Sequence, residues 1–254
     1  MIYSLILNIR ELEVFLNSGD CQNWQPLALI PDDVSELIYK TKNSDRRSER
    51  IAAYSLLCYT VKHFFGYDVS EIERNSYGKP YFKATEAAKK LYFNISHSKD
   101  FCAILISDEG EVGIDIQAMP NTETAERLSK RYLNEVDFNL ISGNYLNGDH
   151  RNIEYYLTSP DTMGFSLQRV NVDNITHRAE DIKFLNSDKS EKSLTFSEKW
   201  ALCEAALKCY GTGFSDLGKI NEYFPALFCR VFSFCSSGTS YSLAVSIIKK
   251  SSKI

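Results

Sequence analysis

The sequence of 254 residues predicts an α+β fold on two observations. Its first half contains, in order, a strand-like apolar segment, a long helical segment, a loop and three further strand-like segments. Its second half repeats this order loosely, with two helical segments followed by two strand-like segments. No repeat is visible in the residues themselves, so the likeness of the two halves lies only in the order of their elements.

In the first half, residues 1–10 predict the first strand. A long helix begins in the segment SDRRSER at Ser44 and ends at Gly66, a residue that stops helices. Further strands are predicted over 91–95, 101–107 and 111–116. Because the tight-turn residues DEG separate the last two strands, these are expected to pair as an antiparallel hairpin.

In the second half, the best-defined element is a helix that contains Trp200. Thr195 and Glu198 have the spacing of a capping box before it, and Gly211 or Gly213 can end it by adopting a positive φ. Another helix is predicted over 122–133. The final strands are predicted over 228–234 and 241–248.

A segment rich in Asn, Asp and Ser separates these elements from about 141 to 192. One interpretation is a surface excursion. A second is that its YYL and FSL stretches, which begin at Tyr155 and Phe165, form strands or a small hairpin, because a loop of this length without structure is unusual in a compact domain.

Composition excludes several classes of protein. The net charge of −4 argues against general affinity for nucleic acid, which needs a basic excess. No apolar run approaches the roughly 18 residues of a membrane span, and the first residues lack the basic leader of a signal peptide. The seven cysteines include no C-x-x-C pair, so neither a zinc site nor a disulfide framework is expected. A reducing cytoplasm is the predicted location.

Two distant segments suggest a divided site. In the strand VGIDIQ, Asp115 and Gln117 lie two residues apart and project to the same side. In the helix WALCEAALK, steps of four place Trp200, Glu204 and Lys208 on one face. The opposite face is apolar and predicted to pack inward; it contains Leu202, Ala205, Ala206 and Cys209. In isolation, such an Asp is usually solvated and such a Glu/Lys pair is usually a surface ion pair.

Two further motifs change this interpretation. They are YGKPYF, which begins at Tyr77, and FNISHS, which begins at Phe93. Taken with the strand and the helix, the four motifs in this order resemble 4′-phosphopantetheinyl transferases of the surfactin-synthetase-activating type. The resemblance extends from about residue 45 to residue 213, interrupted by the long segment.

The resemblance implies a fold of two similar halves related by a pseudo-twofold axis, with the ligands in the cleft between them. The halves would be residues 1–117 and 118–254, with an insertion at about 141–192. It also implies a holo-[acyl-carrier-protein] synthase activity, in which the 4′-phosphopantetheine group of coenzyme A is transferred to a serine of an acyl or peptidyl carrier protein. The reaction would use Mg²⁺ and release adenosine 3′,5′-bisphosphate.

The resemblance also implies a metal site and a catalytic pair. The metal ligands would be Asp115, Gln117 and Glu204, because a hard cation is held by carboxylate and amide oxygens. Glu204 would also accept the proton of the carrier serine, and Lys208 would stabilise the leaving phosphate. Two positions depart from the family. Gln117 stands where a Glu is common, and Cys203 stands where a Lys is common, so that Lys199 is a candidate replacement.

Coenzyme A would be held at its phosphates by the residues that match the family's positions, which are Arg50, Lys79, Ser96 and His97. The neighbouring Arg46 and Arg47 are interpreted as solvated. The carrier protein, being acidic, is expected to dock through apolar contacts with a few basic residues at the rim. We expect the chain to act as a monomer without nucleic acid or membrane.

Two other functions remain open from the sequence. A binding module for coenzyme A or a carrier protein that has weak or no catalysis would explain Gln117 and Cys203. A Mg²⁺-dependent phosphohydrolase built on Asp115 and Glu204 would use the same carboxylates, but it has no use for the YGKP and NISHS motifs.

Overall fold

The computed structural model describes residues 1–19, 24–83, 90–141, 153–170, 178–179, 182–185 and 194–248. The helices are α1 Ile9–Asn17, α2 Gln25–Ala28, α3 Asp32–Tyr39, α4 Ser44–Thr60, α5 Thr122–Leu128, α6 Phe196–Tyr210 and α7 Ile220–Tyr223. Two of them are extended by a wider turn, α4 through Val61–Phe65 and α5 through Ser129–Leu133.

Within these residues, the strands form two five-stranded sheets and one small hairpin. In chain order they are β1 Ile2–Asn8, β2 Ile72–Arg74, β3 Pro80–Phe82, β4 Tyr92–Ser98, β5 Phe101–Ser107, β6 Val112–Ala118, β7 Ile153–Pro160, β8 Phe165–Val170, β9 Arg178–Ala179, β10 Ile182–Leu185, β11 Leu227–Ser236 and β12 Thr239–Ile248. The first sheet has the order β4-β5-β1-β7-β8, and the second has the order β6-β12-β11-β10-β9. The hairpin pairs β2 with β3.

The two sheets pack face to face between α4 and α6, so the main elements form four layers. One apolar core lies between α4 and the first sheet, a second lies between the sheets, and a third lies between the second sheet and α6. Alternation along β1 shows this division. Leu5 and Leu7 face the α4 side, whereas Ile2 and Ile6 face the second sheet. The predicted mixture of helices and sheets is confirmed.

The predicted hairpin between residues 101–107 and 111–116 is wrong. β5 lies inside the first sheet with β1 on one edge and β4 on the other, whereas β6 pairs with β12 in the second sheet. A strand has only two edges, and both edges of β5 are already used. The DEG turn therefore carries the chain from one sheet to the other.

The strands predicted around Tyr155 and Phe165 are confirmed as β7 and β8. β7 runs parallel to β1, so this part of the long segment extends the first sheet. The indole of Trp24 donates hydrogen bonds to the backbone oxygens of Asp161 and Gly164, both at 3.0 Å. By contrast, β9 and β10 extend the second sheet. The division of the chain at residue 117 stays a prediction.

The NISHS motif joins the two sheets. β4 and β6 are edge strands of different sheets, and alternate side chains of β4 accept hydrogen bonds from alternate backbone amides of β6. The pairs are Asn94 with the amide of Ile114 at 3.0 Å, Ser96 with that of Ile116 at 3.2 Å, and Ser98 with that of Ala118 at 3.0 Å. These side chains satisfy amides that would otherwise be unpaired at the edge of the second sheet.

No helix in the described part of the chain is both long and apolar enough to cross a membrane.

Candidate active site

The site begins where α6 packs on β6. Val112, Ile114 and Ile116 point into the core between the sheets, so the alternate residues of β6 face α6. At Gly113, a Cβ atom would lie only 2.0 Å from the backbone oxygen of Ala205. Only glycine therefore permits the observed approach of α6, which places the helix beside Asp115.

The helix itself forms as predicted. Thr195 and Glu198 make both hydrogen bonds of a capping box, and Gly211 ends the helix with φ of 71°. The apolar residues predicted to pack inward are all buried. Glu204 and Lys208 lie on the half-buried face, where they approach β6.

Asp115, Lys208 and Ser96 form one polar cluster. The Lys208 ammonium lies 2.5 Å from Oδ1 of Asp115 and donates to Oγ of Ser96 at 3.1 Å. The Ser96 hydroxyl donates to the same Asp115 oxygen at 2.9 Å and accepts from the amide of Ile116. A hydroxyl has one proton and two lone pairs, so these contacts use the full capacity of Ser96. Its predicted contact with coenzyme A stays a prediction.

Glu204 lies near the same cluster. Burial raises the pKa of its carboxyl, the nearby Lys208 ammonium opposes this rise, and the Asp115 carboxylate adds to it. The structure therefore brings together Asp115, Glu204 and Lys208, although Asp115 and Lys208 are 93 residues apart in the sequence. A divalent cation beside Glu204 would favour the ionised form of its carboxyl.

The donor set fits a Mg²⁺ ion. Oδ2 of Asp115 is buried and has no hydrogen-bond partner among the residues that the structure describes, which leaves one carboxylate oxygen available for a cation. Within the described residues, no group of three or more His, Cys, Asp and Glu side chains is placed to hold a metal. Mg²⁺ commonly takes one or two protein carboxylates and completes its shell with water and substrate phosphate. Asp115 and Glu204 meet that requirement.

Gln117 is half-buried, and its amide nitrogen donates to the backbone oxygen of Ala118 at 2.7 Å. Its role as a metal ligand stays a prediction. Cys203, the other departure from the family, is fully buried in the core of α6, where burial raises the pKa of its thiol. Its side chain packs against other apolar groups and does not belong to the polar cluster. Lys199 lies over the ring of Phe138.

A basic cavity of about 430 Å³ lies between α4 and the strands β3 and β4. It brings together Arg50 and His97, as the sequence predicts. His97 follows Ser96 on β4, so it points away from β6, and its Nδ1 lies 3.5 Å from a carboxylate oxygen of Glu49. Arg50 donates to the hydroxyl of Thr41 after α3. The guanidinium of Arg50 and the ring nitrogens of His97 are donors suited to a phosphate-bearing ligand.

Two arginines of this cavity were not among the predicted site residues. Arg46 is exposed, as expected, and it also lines the cavity. Arg74 is held by its own hydrogen bonds to Tyr54 at 2.8 Å and to the backbone oxygen of Gly78 at 2.9 Å. Its position just before the YGKP motif is the signal that could have found it. Arg47 does not line this cavity, and its guanidinium donates to the backbone oxygen of Thr41.

Lys79 lies elsewhere. Its ammonium contacts Glu111 and the carboxyl end of α6, and it does not line the basic cavity. A second, mainly apolar cavity of about 400 Å³ includes Lys79 and Pro80, but none of the predicted metal ligands.

Fold and site together define an α+β protein with a pair of carboxylates and a lysine at a helix–strand junction, next to a basic cavity. No protein-family model matches the chain. Curated relatives are similar to it in part. Over 74 residues it is 43% identical to the 4′-phosphopantetheinyl transferase AcpT of Escherichia coli O157:H7. This match covers 29% of the chain and 34% of the relative. The relative of the same name in Escherichia coli K12 gives the same values.

The relative of the same name in Salmonella typhi is 37% identical over 90 residues, which covers 35% of this chain and 41% of the relative. The matches thus span between a third and two fifths of the relatives' length. They confirm the resemblance to the 4′-phosphopantetheinyl transferase superfamily that the four motifs indicate. Assignment to the surfactin-synthetase-activating type stays a prediction.

Proposed function

We propose that this chain transfers the 4′-phosphopantetheine group of coenzyme A to a serine of an acyl or peptidyl carrier protein in a Mg²⁺-dependent reaction. The observation that carries the proposal is the meeting of Asp115, Glu204 and Lys208 at the junction of β6 and α6. The partial relatives, which are named 4′-phosphopantetheinyl transferase, support the same class of reaction.

Each residue of the cluster has a role in this reaction. Asp115 and Glu204 would hold the Mg²⁺ ion, which supplies positive charge to the pyrophosphate as its P–O bond breaks. The carrier serine forms the new O–P bond, and its proton passes to Glu204. Lys208 donates a hydrogen bond to the departing adenosine 3′,5′-bisphosphate. Arg50, His97 and the two further cavity arginines bind the phosphates of coenzyme A.

The same proposal includes a pseudo-twofold relation between two halves. The first half has the elements β1, α4, β4 and β5, with the strand order β4-β5-β1. The second half has β6, α6, β11 and β12, with the order β11-β12-β6. In this pairing of elements the boundary lies before β6 and not at residue 117, where the sequence predicts it. Each helix packs on its own sheet, and the two sheets pack against each other between the helices.

A transfer assay tests this function. The chain is incubated with coenzyme A, Mg²⁺ and several apo carrier proteins of the fatty-acid, polyketide and nonribosomal-peptide classes, and the mass of each carrier is measured. The expected result is one added phosphopantetheine group on the carrier serine. Binding of coenzyme A without mass gain on any carrier would favour the binding module, and hydrolysis of coenzyme A without an acceptor would favour the phosphohydrolase.

A substitution at Gln117 tests the third predicted ligand. A glutamate in this position cannot donate to the backbone oxygen of Ala118, so its carboxylate is expected to turn towards the cation beside Asp115. We expect Gln117→Glu to lower the Mg²⁺ concentration for half-maximal transfer by roughly tenfold, because an added charged oxygen ligand strengthens binding of a hard cation. A magnesium titration of both proteins gives the two midpoints. An unchanged midpoint would remove Gln117 from the ligands.

A further inference from the structure

The turn that contains the YGKP motif contacts the carboxyl end of α6. Lys79 donates to the backbone oxygens of Cys209 at 3.1 Å and Val112 at 3.3 Å, and it pairs with the carboxylate of Glu111 at 2.7 Å. These three acceptors match the three protons of an ammonium group. The side chain is only 13% exposed. Lys79 therefore connects the start of β6 to the last turn of α6.

The turn itself is built to hold this lysine. Oδ1 of Asn75 accepts from the amides of Tyr77 at 3.0 Å and Lys79 at 2.9 Å. The amide nitrogen of the same side chain donates to the backbone oxygen of Gly211 at 3.1 Å. Gly78 adopts φ of 85°, a conformation that favours glycine. Asn75 thus fixes the turn and also binds the end of α6.

We infer that Lys79 is a positioning residue for α6, the helix that supplies Glu204 and Lys208. Its positive charge lies where the unpaired carbonyl groups of a helix end carry partial negative charge, so the contact is favourable. Gly113 approaches the backbone of Ala205 and Cys209, and Lys79 binds the backbone oxygen of Cys209, so both contacts fix the helix against β6 next to Lys208. This inference rests on the proposed function only for the consequence that transfer slows when α6 moves.

The alternative is that Lys79 binds a phosphate of coenzyme A. Three observations argue against this role. All three protons of the ammonium are used in hydrogen bonds, and the Glu111 carboxylate balances its charge. The ammonium also lies outside the basic cavity that Arg50 and His97 line. The two roles differ in what a substitution changes. Loss of a phosphate contact weakens coenzyme A binding, whereas loss of positioning loosens α6 and slows the chemical step.

Lys79→Met separates the two roles, because methionine keeps an unbranched stem and removes the charge. We expect amide hydrogen exchange in the last two turns of α6 to rise roughly tenfold, since a charged hydrogen bond to the helix end is lost. The dissociation constant of coenzyme A, measured by calorimetry, is expected to stay within about twofold, and kcat to fall roughly 10- to 100-fold because the reacting groups are misplaced.

Two variants complete the test. Lys83→Met is the matched control, since Lys83 follows β3 and pairs, among the described residues, with the carboxylates of Glu71 and Glu73 at the surface. It is expected to change none of the three measurements. Lys79→Arg is expected to restore protection of α6, because a guanidinium can donate to the same carbonyl groups. Should Lys79→Met fail to fold, Lys79→Gln removes the charge while keeping a donor, and the same directions are expected.

The outcomes are distinct. Faster exchange in α6 with unchanged coenzyme A binding supports positioning, even if no carrier accepts the group and the proposed function fails. A tenfold or larger loss of coenzyme A affinity with unchanged exchange in α6 would overturn the inference in favour of a phosphate contact. No change in either measurement would overturn it as well.

Discussion

Replacing Asp115 by asparagine, or Glu204 by glutamine, is expected to lower the rate of transfer by roughly 10²–10⁴-fold, the usual contribution of a positioned acid–base group or of comparable electrostatic stabilisation. Each change keeps the shape of the side chain but removes a charged oxygen ligand. Asparagine in place of Asp115 can still accept from Ser96 and Lys208 through its remaining oxygen. The loss is therefore expected in turnover and not in folding.

The measurement is the initial rate of mass gain on a carrier protein at saturating coenzyme A, with thermal unfolding measured on the same samples. Glu222→Gln is the control, because Glu222 is an exposed carboxylate on α7. Its rate is expected to equal that of the unsubstituted protein. A near-normal rate for either site variant at saturating Mg²⁺ would show that its carboxylate is not required.

The second large effect is expected from Gly113→Ala. The added Cβ would lie 2.0 Å from the backbone oxygen of Ala205 and 2.4 Å from the backbone nitrogen of Cys209, and backbone atoms of a packed helix cannot turn aside. We expect the free energy of unfolding to fall by about 1–3 kcal/mol or more, the usual cost of overpacking a core. Transfer should fall too, because α6 must move away from Asp115.

Gly218→Ala is a matched control, since a Cβ at Gly218 meets none of the described neighbouring atoms within 4 Å. Its unfolding free energy, measured by denaturant titration, is expected to lie within about 0.5 kcal/mol of the unsubstituted protein, as for most surface substitutions. If Gly113→Ala were as stable and as active as Gly218→Ala, the close approach of α6 would not be what assembles the site.

Local signals in the sequence predict much of the fold. The capping box at Thr195, the stop at Gly66 and the alternation around Asp115 each depend on residues a few positions apart, and the structure confirms the elements they predict. The pairing of β5 could not be predicted in the same way. A DEG turn suits a hairpin and a passage between sheets equally well, and only the positions of β1 and β4 decide which one forms.

The site shows the same division. Glu204 and Lys208 share a face because of the period of a helix. Asp115 is assigned to the same site because the four motifs together resemble one family. The partners of Lys79 could not be read from the sequence, because Cys209 lies 130 residues further along the chain. The role of Gly113 is equally non-local, since it depends on how closely a distant helix packs.

Binding of Mn²⁺ in place of Mg²⁺, followed by electron paramagnetic resonance with coenzyme A present, tests most directly whether Asp115 and Glu204 form one metal site. We predict one bound ion per chain for the unsubstituted protein and for Glu222→Gln. For Asp115→Asn and Glu204→Gln we predict affinity lower by at least roughly tenfold, because each loses a charged oxygen ligand. Unchanged affinity in both site variants would contradict the account.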